Sequence, residues 1–165
     1  MTNTATEIRP ARPEEAAAVA ALVNAINSLD GCAPPVPMTA EAVRRDLLGP
    51  EPWATLLVAA EGEEVAGFAT GSPCYDSVRA AGGYFLVDLY VRPESRRRGL
   101  GRALVAGLAA VARRRGAGCL WWGVDEGDDE AMLFYRAIGA ESEGPFTGQL
   151  LVGPAYERLA AEAAP

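Results

Sequence analysis

Three consecutive arginines, Arg96, Arg97 and Arg98, run directly into Gly99-Leu100-Gly101-Arg102. An apolar run, Tyr84 to Val91, precedes them and is closed by Arg92 and Pro93. After them Leu100, Leu104, Leu108 and Val111 recur at helical spacing, which predicts a helix from about Gly99 to Arg115. A helix start carries partial positive charge and backbone N–H groups without intrahelical partners. Three cations crowded there are unfavourable unless an anion lies among them. Gly99 and Gly101 remove side chains where a ligand would approach the backbone. Strand, glycine-containing turn, helix start and arginines together describe a cradle for phosphate or pyrophosphate. The plain alternative is a surface turn with solvated arginines.

The inventory narrows the chemistry. The chain of 165 residues has no His and no Lys. A lysine P-loop, a Ser-His-Asp triad, His-ligated metal sites and a pyridoxal Schiff base are excluded. A dinucleotide fingerprint wants a third glycine where Leu104 stands, and an acid closing the next strand, where only Asp125 follows its end. Cys32, Cys74 and Cys119 are odd in number and far apart, so they form neither a disulfide framework nor a zinc knuckle. No metal is expected. General acid and base work must fall to Asp, Glu, Tyr or Cys. Asp88 is the one charge inside the apolar strand. Burial disfavours a charged carboxylate, and one so placed, facing an amine, is what a general base needs. Asp88 could equally be structural, bonding a loop or holding Arg92 or Arg79.

The elements that must position these residues read as a single mixed α/β domain over 1–165. Hydrophobic content of 50% and charged content of 22% suit an ordinary globular core. Net charge −7 disfavours nucleic acid as a partner and mildly favours cationic substrates. No long apolar run suggests a membrane span, and Met1 to Glu7 lacks the pattern of a signal peptide, so a cytoplasmic protein is expected. In order, the pattern predicts a strand ending Glu7–Pro10, a helix opened by Pro13, Glu14 and Glu15, and a loop over Ser28–Met38. A second helix follows over Ala40–Leu48, capped by Thr39, then a hairpin of Thr55–Ala60 with Val65–Gly71. Ser72–Gly83 reads as a loop, and the run to Val91 as a central strand covered on both faces. A strand over Cys119–Val124 comes next, then a helix capped by Asp128 and stopped at Gly139. One or two strands within Pro145–Val152 and a helix over Tyr156–Ala164 close the chain. Arg113, Arg114 and Arg115 need no ligand, because they sit at the negative end of their helix.

The pattern Arg96-x-x-Gly99-x-Gly101, behind a strand ending Leu89-Tyr90-Val91-Arg92-Pro93, resembles the acyl-coenzyme A signature of the GNAT superfamily of N-acyltransferases. A second segment, Asp128-x-x-Ala131-x-x-Phe134-Tyr135-x-x-x-Gly139, is similar to that family's other motif, with Asp128 in place of its Asn. The element order matches as well. The resemblance implies a central, mostly antiparallel sheet of six to seven strands flanked by about four helices. It implies acetyl-CoA as co-substrate and direct attack by a primary amine in a ternary complex, without a metal. It assigns coenzyme contacts to Leu89, Tyr90 and Val91, to Arg96, Arg97, Arg98, Gly99, Leu100, Gly101 and Arg102, and to Asp128 and Tyr135. Tyr135 would return a proton to the leaving thiolate; otherwise it simply packs.

Among subfamilies the chain looks most like the spermidine-type diamine acetyltransferases. The shared features are Ile8-Arg9-Pro10, Gly67-Phe68-Ala69, Asp88-Leu89-Tyr90-Val91 and Phe134-Tyr135-Arg136. Those enzymes carry Glu-Asp in the central strand where Val87-Asp88 stands, which leaves Asp88 as the candidate base and puts polyamine specificity in doubt. The amine site is expected between the Ser28–Met38 and Ser72–Gly83 loops, with Asp30, Asp76 and the acids at 125–130 able to attract a cation. Acetylation of a protein lysine or N-terminus, and an acyl-CoA-binding regulatory domain without catalysis, stand as alternatives. A homodimer is compatible with the resemblance.

Overall fold

The computed structural model of the chain describes residues 6–29 and 31–163. Two compact units divide at Asp125 and Glu126. The first unit is built around a sheet in the order β1-β2-β3-β4-β5. Its strands are β1 (Thr6–Pro10), β2 (Thr55–Glu61), β3 (Glu64–Asp76), β4 (Ala81–Val91) and β5 (Leu120–Trp121). Neighbours are antiparallel except β4 and β5, which are parallel. The helices of this unit are α1 (Ala16–Ile26), α2 (Ala40–Ala42), which widens into a π turn over Val43–Leu47, and α3 (Leu100–Arg114).

The two faces of the sheet are covered differently. Leu56, Val58, Phe68 and Tyr90 are buried together with Val19, Leu22 and Val23 of α1 and with Val43. On the other face Leu104 and Leu108 of α3 are fully buried. α3 comes close to the sheet because two positions lack side chains. A Cβ on Gly71 would lie 2.8 Å from Leu108 Cδ2, and one on Gly107 would lie 3.0 Å from Ile8 Cγ2.

A bulge in β4 decides which face its residues meet. Thr70 pairs with Asp88 and Gly71 with Leu86, so Val87 has no cross-strand partner. An unpaired residue reverses the alternation of a strand. Tyr84 and Leu86 therefore lie on the α3 face, and Asp88 and Tyr90 on the α1 face with Thr70 and Phe68. The expectation of a strand covered on both sides holds for its first half only. Tyr84 is fully buried, with its hydroxyl 2.5 Å from Thr55 Oγ1. Val87 is 49% exposed, and Asp88, Leu89 and Val91 are half-buried.

The bulge also explains the short fifth strand. β5 meets β4 only at Tyr84 and Phe85, just before the bend, so the strand expected over Cys119–Val124 contracts to two residues. Pro145–Val152 forms no strand: Phe146, Leu150 and Val152 are exposed there and leave no face to bury. The sheet among the described residues has five strands rather than six or seven.

The reverse error occurs at Ser72–Gly83, which is hairpin rather than loop. β3 continues to Asp76 and β4 starts at Ala81. Pro73 is tolerated because β2 ends its pairing at Gly71, which leaves β3 an edge strand from there on. Asp76 Oδ1 closes the turn by accepting from Val78 N and Arg79 N, both at 3.0 Å.

The start of α1 is locked by an ion pair reaching back to β1. Arg9 donates to both carboxylate oxygens of Glu15, at 2.6 and 2.9 Å, and Arg12 N donates to Glu15 at 2.7 Å. The two side chains are only 11% and 10% exposed. The hydrogen bond from Arg9 holds the Glu15 carboxyl below its usual range, against the opposing effect of burial. The loop after α1 is closed by Asn24, whose amide donates to Met38 O at 2.9 Å and accepts from Met38 N at 2.7 Å. Asp30 in that loop lies outside the described residues.

The second unit holds α4 (Asp129–Ala137) and α5 (Gly153–Ala161), whose residues are half-buried or exposed. The closing helix starts three residues before Tyr156, and Ala164 lies outside the described residues. No helix among the described residues is long and apolar enough to cross a membrane.

Candidate active site

β4 ends at Val91, and Pro93–Ser95 makes a single 3-10 turn before the arginines. Arg96 folds back onto the strand. Its Nε donates to Val91 O at 3.0 Å, and its guanidinium carbon sits 5.7 Å from the centre of the Tyr90 ring. Arg97 adopts φ +61° and Gly99 φ +83°. A non-glycine residue in the left-handed region costs roughly 1 kcal/mol or more, and such residues cluster at ligand clamps.

α3 then begins without a side-chain cap and without an acid in its first turn. Its first intrahelical bond runs from Ala103 N to Gly99 O at 3.0 Å. The N–H groups of Leu100, Gly101 and Arg102 remain as donors at the positive end of the helix. Arg98 forks onto Glu61, at 2.6 and 3.2 Å, and Thr6 Oγ1 donates to the same carboxylate at 3.2 Å. Among the described residues Arg97 and Arg102 meet no acid, and both are exposed. The arginines expected to act together thus divide. Arg96 braces the strand, Arg98 has an internal counter-ion, and Arg97 and Arg102 are open. Glu61 carried no signal in the sequence, because its partner lies 37 residues away.

Asp88 finds its partner across the sheet. Thr70 Oγ1 donates to Asp88 Oδ2 at 2.8 Å and accepts from Asp88 N at 3.2 Å. Arg79, one candidate partner, pairs instead with Asp76 at 2.6 Å. That pair also offsets the Asp76 charge, one of those expected to attract a cationic substrate. Burial first, then the nearby Asp76 carboxylate, pushes the Cys119 thiol up from the usual range, which disfavours its thiolate.

In the second unit Asp128 caps α4, its Oδ1 accepting from Ala131 N at 2.9 Å. The Tyr135 ring meets Phe134 edge-on at 5.0 Å. Burial, and secondarily the Asp128 carboxylate, pushes the Tyr135 phenol up to about 12. It is therefore protonated throughout the neutral range. Asp88, Leu89 to Val91 and Arg96 to Arg102 belong to the first unit, and Asp128 and Tyr135 to the second.

A hollow of about 420 Å³ lies at the far end of α3, beside Ala109, Arg113 and Leu120. None of the expected catalytic or coenzyme-contacting residues lines it. The open start of α3, rather than this hollow, is where donors and cations converge.

Residues 23–140 match the model of the acetyltransferase (GNAT) family. L-ornithine N5-acetyltransferase NATA1 of Arabidopsis thaliana is 35% identical over 77 residues, 47% of this chain and 34% of that protein, so the chain matches about a third of that relative's length. Thialysine N-epsilon-acetyltransferase of Caenorhabditis elegans is 30% identical over 161 residues, covering 94% of this chain and 98% of that protein. An integron cassette protein from the mobile metagenome of V. cholerae shares the fold with a TM-score of 0.75, at 20% identity, over 94% of this chain and 97% of that one. The family match takes in both the arginine turn and the helix of Tyr135, and the chain belongs to the GNAT family of acetyltransferases, enzymes that transfer acetyl groups.

Proposed function

We propose that the chain moves an acetyl group from acetyl-CoA to the primary amine of a small molecule by direct attack in a ternary complex. On this reading residues 1–165 act as one catalytic domain. The observation that carries it is the start of α3, which has free N–H groups, no cap, no acid in its first turn and open cations in Arg97 and Arg102. A diphosphate supplies what is missing there. Arg98 would exchange Glu61 for the same anion. Among the described residues no strand pairs with the outer edge of β4 from Leu86 onward, so its backbone at Leu89 to Val91 can take the pantetheine arm as an added strand.

The acceptor arrives as an ammonium and must lose a proton before it can attack. Asp88 takes that proton, directly or through a water. The neutral amine attacks the thioester carbon, and the tetrahedral oxyanion is stabilised by backbone N–H near Val91. Collapse breaks the C–S bond. A phenol at about 12 is a weaker acid than a thiol at about 8.5, so Tyr135 donates a hydrogen bond to the departing thiolate and relays to it the second proton of the acylated nitrogen, ending as a phenol again. The names of two relatives, acting on N5 of ornithine and on the ε-nitrogen of thialysine, support a terminal amine on a small amino acid as acceptor. Net charge −7 favours a cationic acceptor in the same direction.

The test is release of free thiol from acetyl-CoA with ornithine, thialysine, lysine, short diamines and a lysine-containing peptide as acceptors. Turnover with the amino acids or diamines is expected. Turnover with the peptide alone overturns the small-amine reading. Tyr135→Phe should lower kcat by about 10²-fold or more, and an unchanged kcat removes Tyr135 from the mechanism.

A further inference from the structure

We propose that Thr70 is the positioning residue that aims Asp88, an inference that rests on Asp88 being the base. Thr70 lies on β3 and is 3% exposed. Among the described residues its hydroxyl makes two hydrogen bonds, both with Asp88. One is with the backbone N–H, which can only donate, so there the oxygen must accept. The single hydroxyl hydrogen is then left for the carboxylate, and the polarity of both bonds is fixed. Thr70 thereby ties the Asp88 side chain to its own backbone. A β-branched residue is restricted at χ1, and a buried one has little freedom to swing away.

The arrangement depends on the β4 bulge. With regular alternation Asp88 would share the α3 face with Tyr84 and Leu86. The unpaired Val87 turns it onto the face of Thr70 instead. Oδ2 is held by Thr70, and among the described residues nothing donates to Oδ1. Oδ1 is thus the oxygen presented to the ammonium or its bridging water. During the reaction a proton passes from the acceptor nitrogen to Oδ1, while the Thr70 proton stays on its own oxygen. A merely packed side chain would need no hydroxyl, and valine would serve as well.

The experiment measures kcat and KM in the full chain, with acetyl-CoA and the best acceptor of the amine panel. The variants are Thr70→Val, Thr70→Ser, Asp88→Asn and the double variant Thr70→Val with Asp88→Asn. Thr70→Val should lower kcat about tenfold or more with KM for acetyl-CoA unchanged, and Thr70→Ser should keep most of the rate. Because the two residues act as one device, Thr70→Val should cost nothing further in the Asp88→Asn background. A Thr70→Val enzyme as fast as the parent, a Thr70→Ser enzyme as slow as Thr70→Val, or a full additional loss in the double variant overturns the role of Thr70. Asp88→Asn separates the two readings. If it leaves kcat intact, the base assignment falls and the Thr70 role with it. If it lowers kcat while Thr70→Val keeps the parent rate, only the Thr70 role falls.

Discussion

Three helix starts in this molecule face the same physical problem and meet it in two ways. α4 closes its own start: Asp128 accepts from Ala131 N, and Asp129 and Glu130 occupy its first turn. The turn into α1 is closed as well, by Glu15, which accepts from Arg12 N and is itself gripped by Arg9. α3 is left open. Its N-cap is a glycine at φ +83°, its first turn has no acid, and Arg96, Arg97 and Arg98 stand before it. A start closed from within is a piece of the fold. One left open and ringed by cations holds a place for an anion from outside.

The comparison can be broken from either side. The largest effect is expected from Arg9→Ala, which leaves Glu15 as a buried carboxylate without its counter-ion. The cost should be about 3–5 kcal/mol in denaturant unfolding, as for other broken buried pairs. The pH dependence has a defined sign. The folded Glu15 carboxyl sits below its usual range, so the stabilisation from the pair is complete above the ordinary carboxylate pKa. It is lost as pH falls through the lower folded value. The parent should therefore lose more stability in acid than Arg9→Ala does.

Gly101→Asp works the opposite way, by giving the open start of α3 an acid of its own. Coenzyme A affinity should fall about 100-fold or more, close to 3 kcal/mol. Thermal stability should hold or rise, since an acid in a first turn contributes about 0.3–1 kcal/mol. Loss of binding accompanied by unfolding would count against the account. Asp128→Ala removes the cap of α4 and should cost about 1 kcal/mol, seen as faster amide exchange in α4. The smallest change is expected from Glu61→Gln. It releases Arg98 from a partly exposed pair of the kind worth about 0.2–1 kcal/mol, and coenzyme A should bind up to about fivefold tighter. Weaker binding in this variant would mean that Glu61 holds Arg98 ready rather than competing for it.

Local chemistry was legible in the sequence, and register was not. The α3 start, the Asp128 cap and the apolar run to Val91 all follow from residues within a few positions of each other. The bulge at Val87 depends on which β3 residues pair with Leu86 and Asp88, and nothing in Leu86-Val87-Asp88 itself announces it. Its consequences were hidden with it: the face on which Asp88 lies, its bond to Thr70, and the shortness of β5. Ser72 to Gly83 reads as a loop because Pro, Ser and Gly usually break strands. Here Pro73 sits where β3 has become an edge, and the usual objection to it lapses. The ion pairs of Arg98 with Glu61 and of Arg9 with Glu15 were missed because each joins separate elements.

The claim that the open start of α3 receives a diphosphate is tested most directly by calorimetric titration of coenzyme A into the parent and Gly101→Asp proteins at low and high salt. The account predicts saturable heat with the parent, weaker binding as salt rises, and binding weakened about 100-fold or more in the variant. No heat from the parent, or equal binding by both proteins, would contradict it.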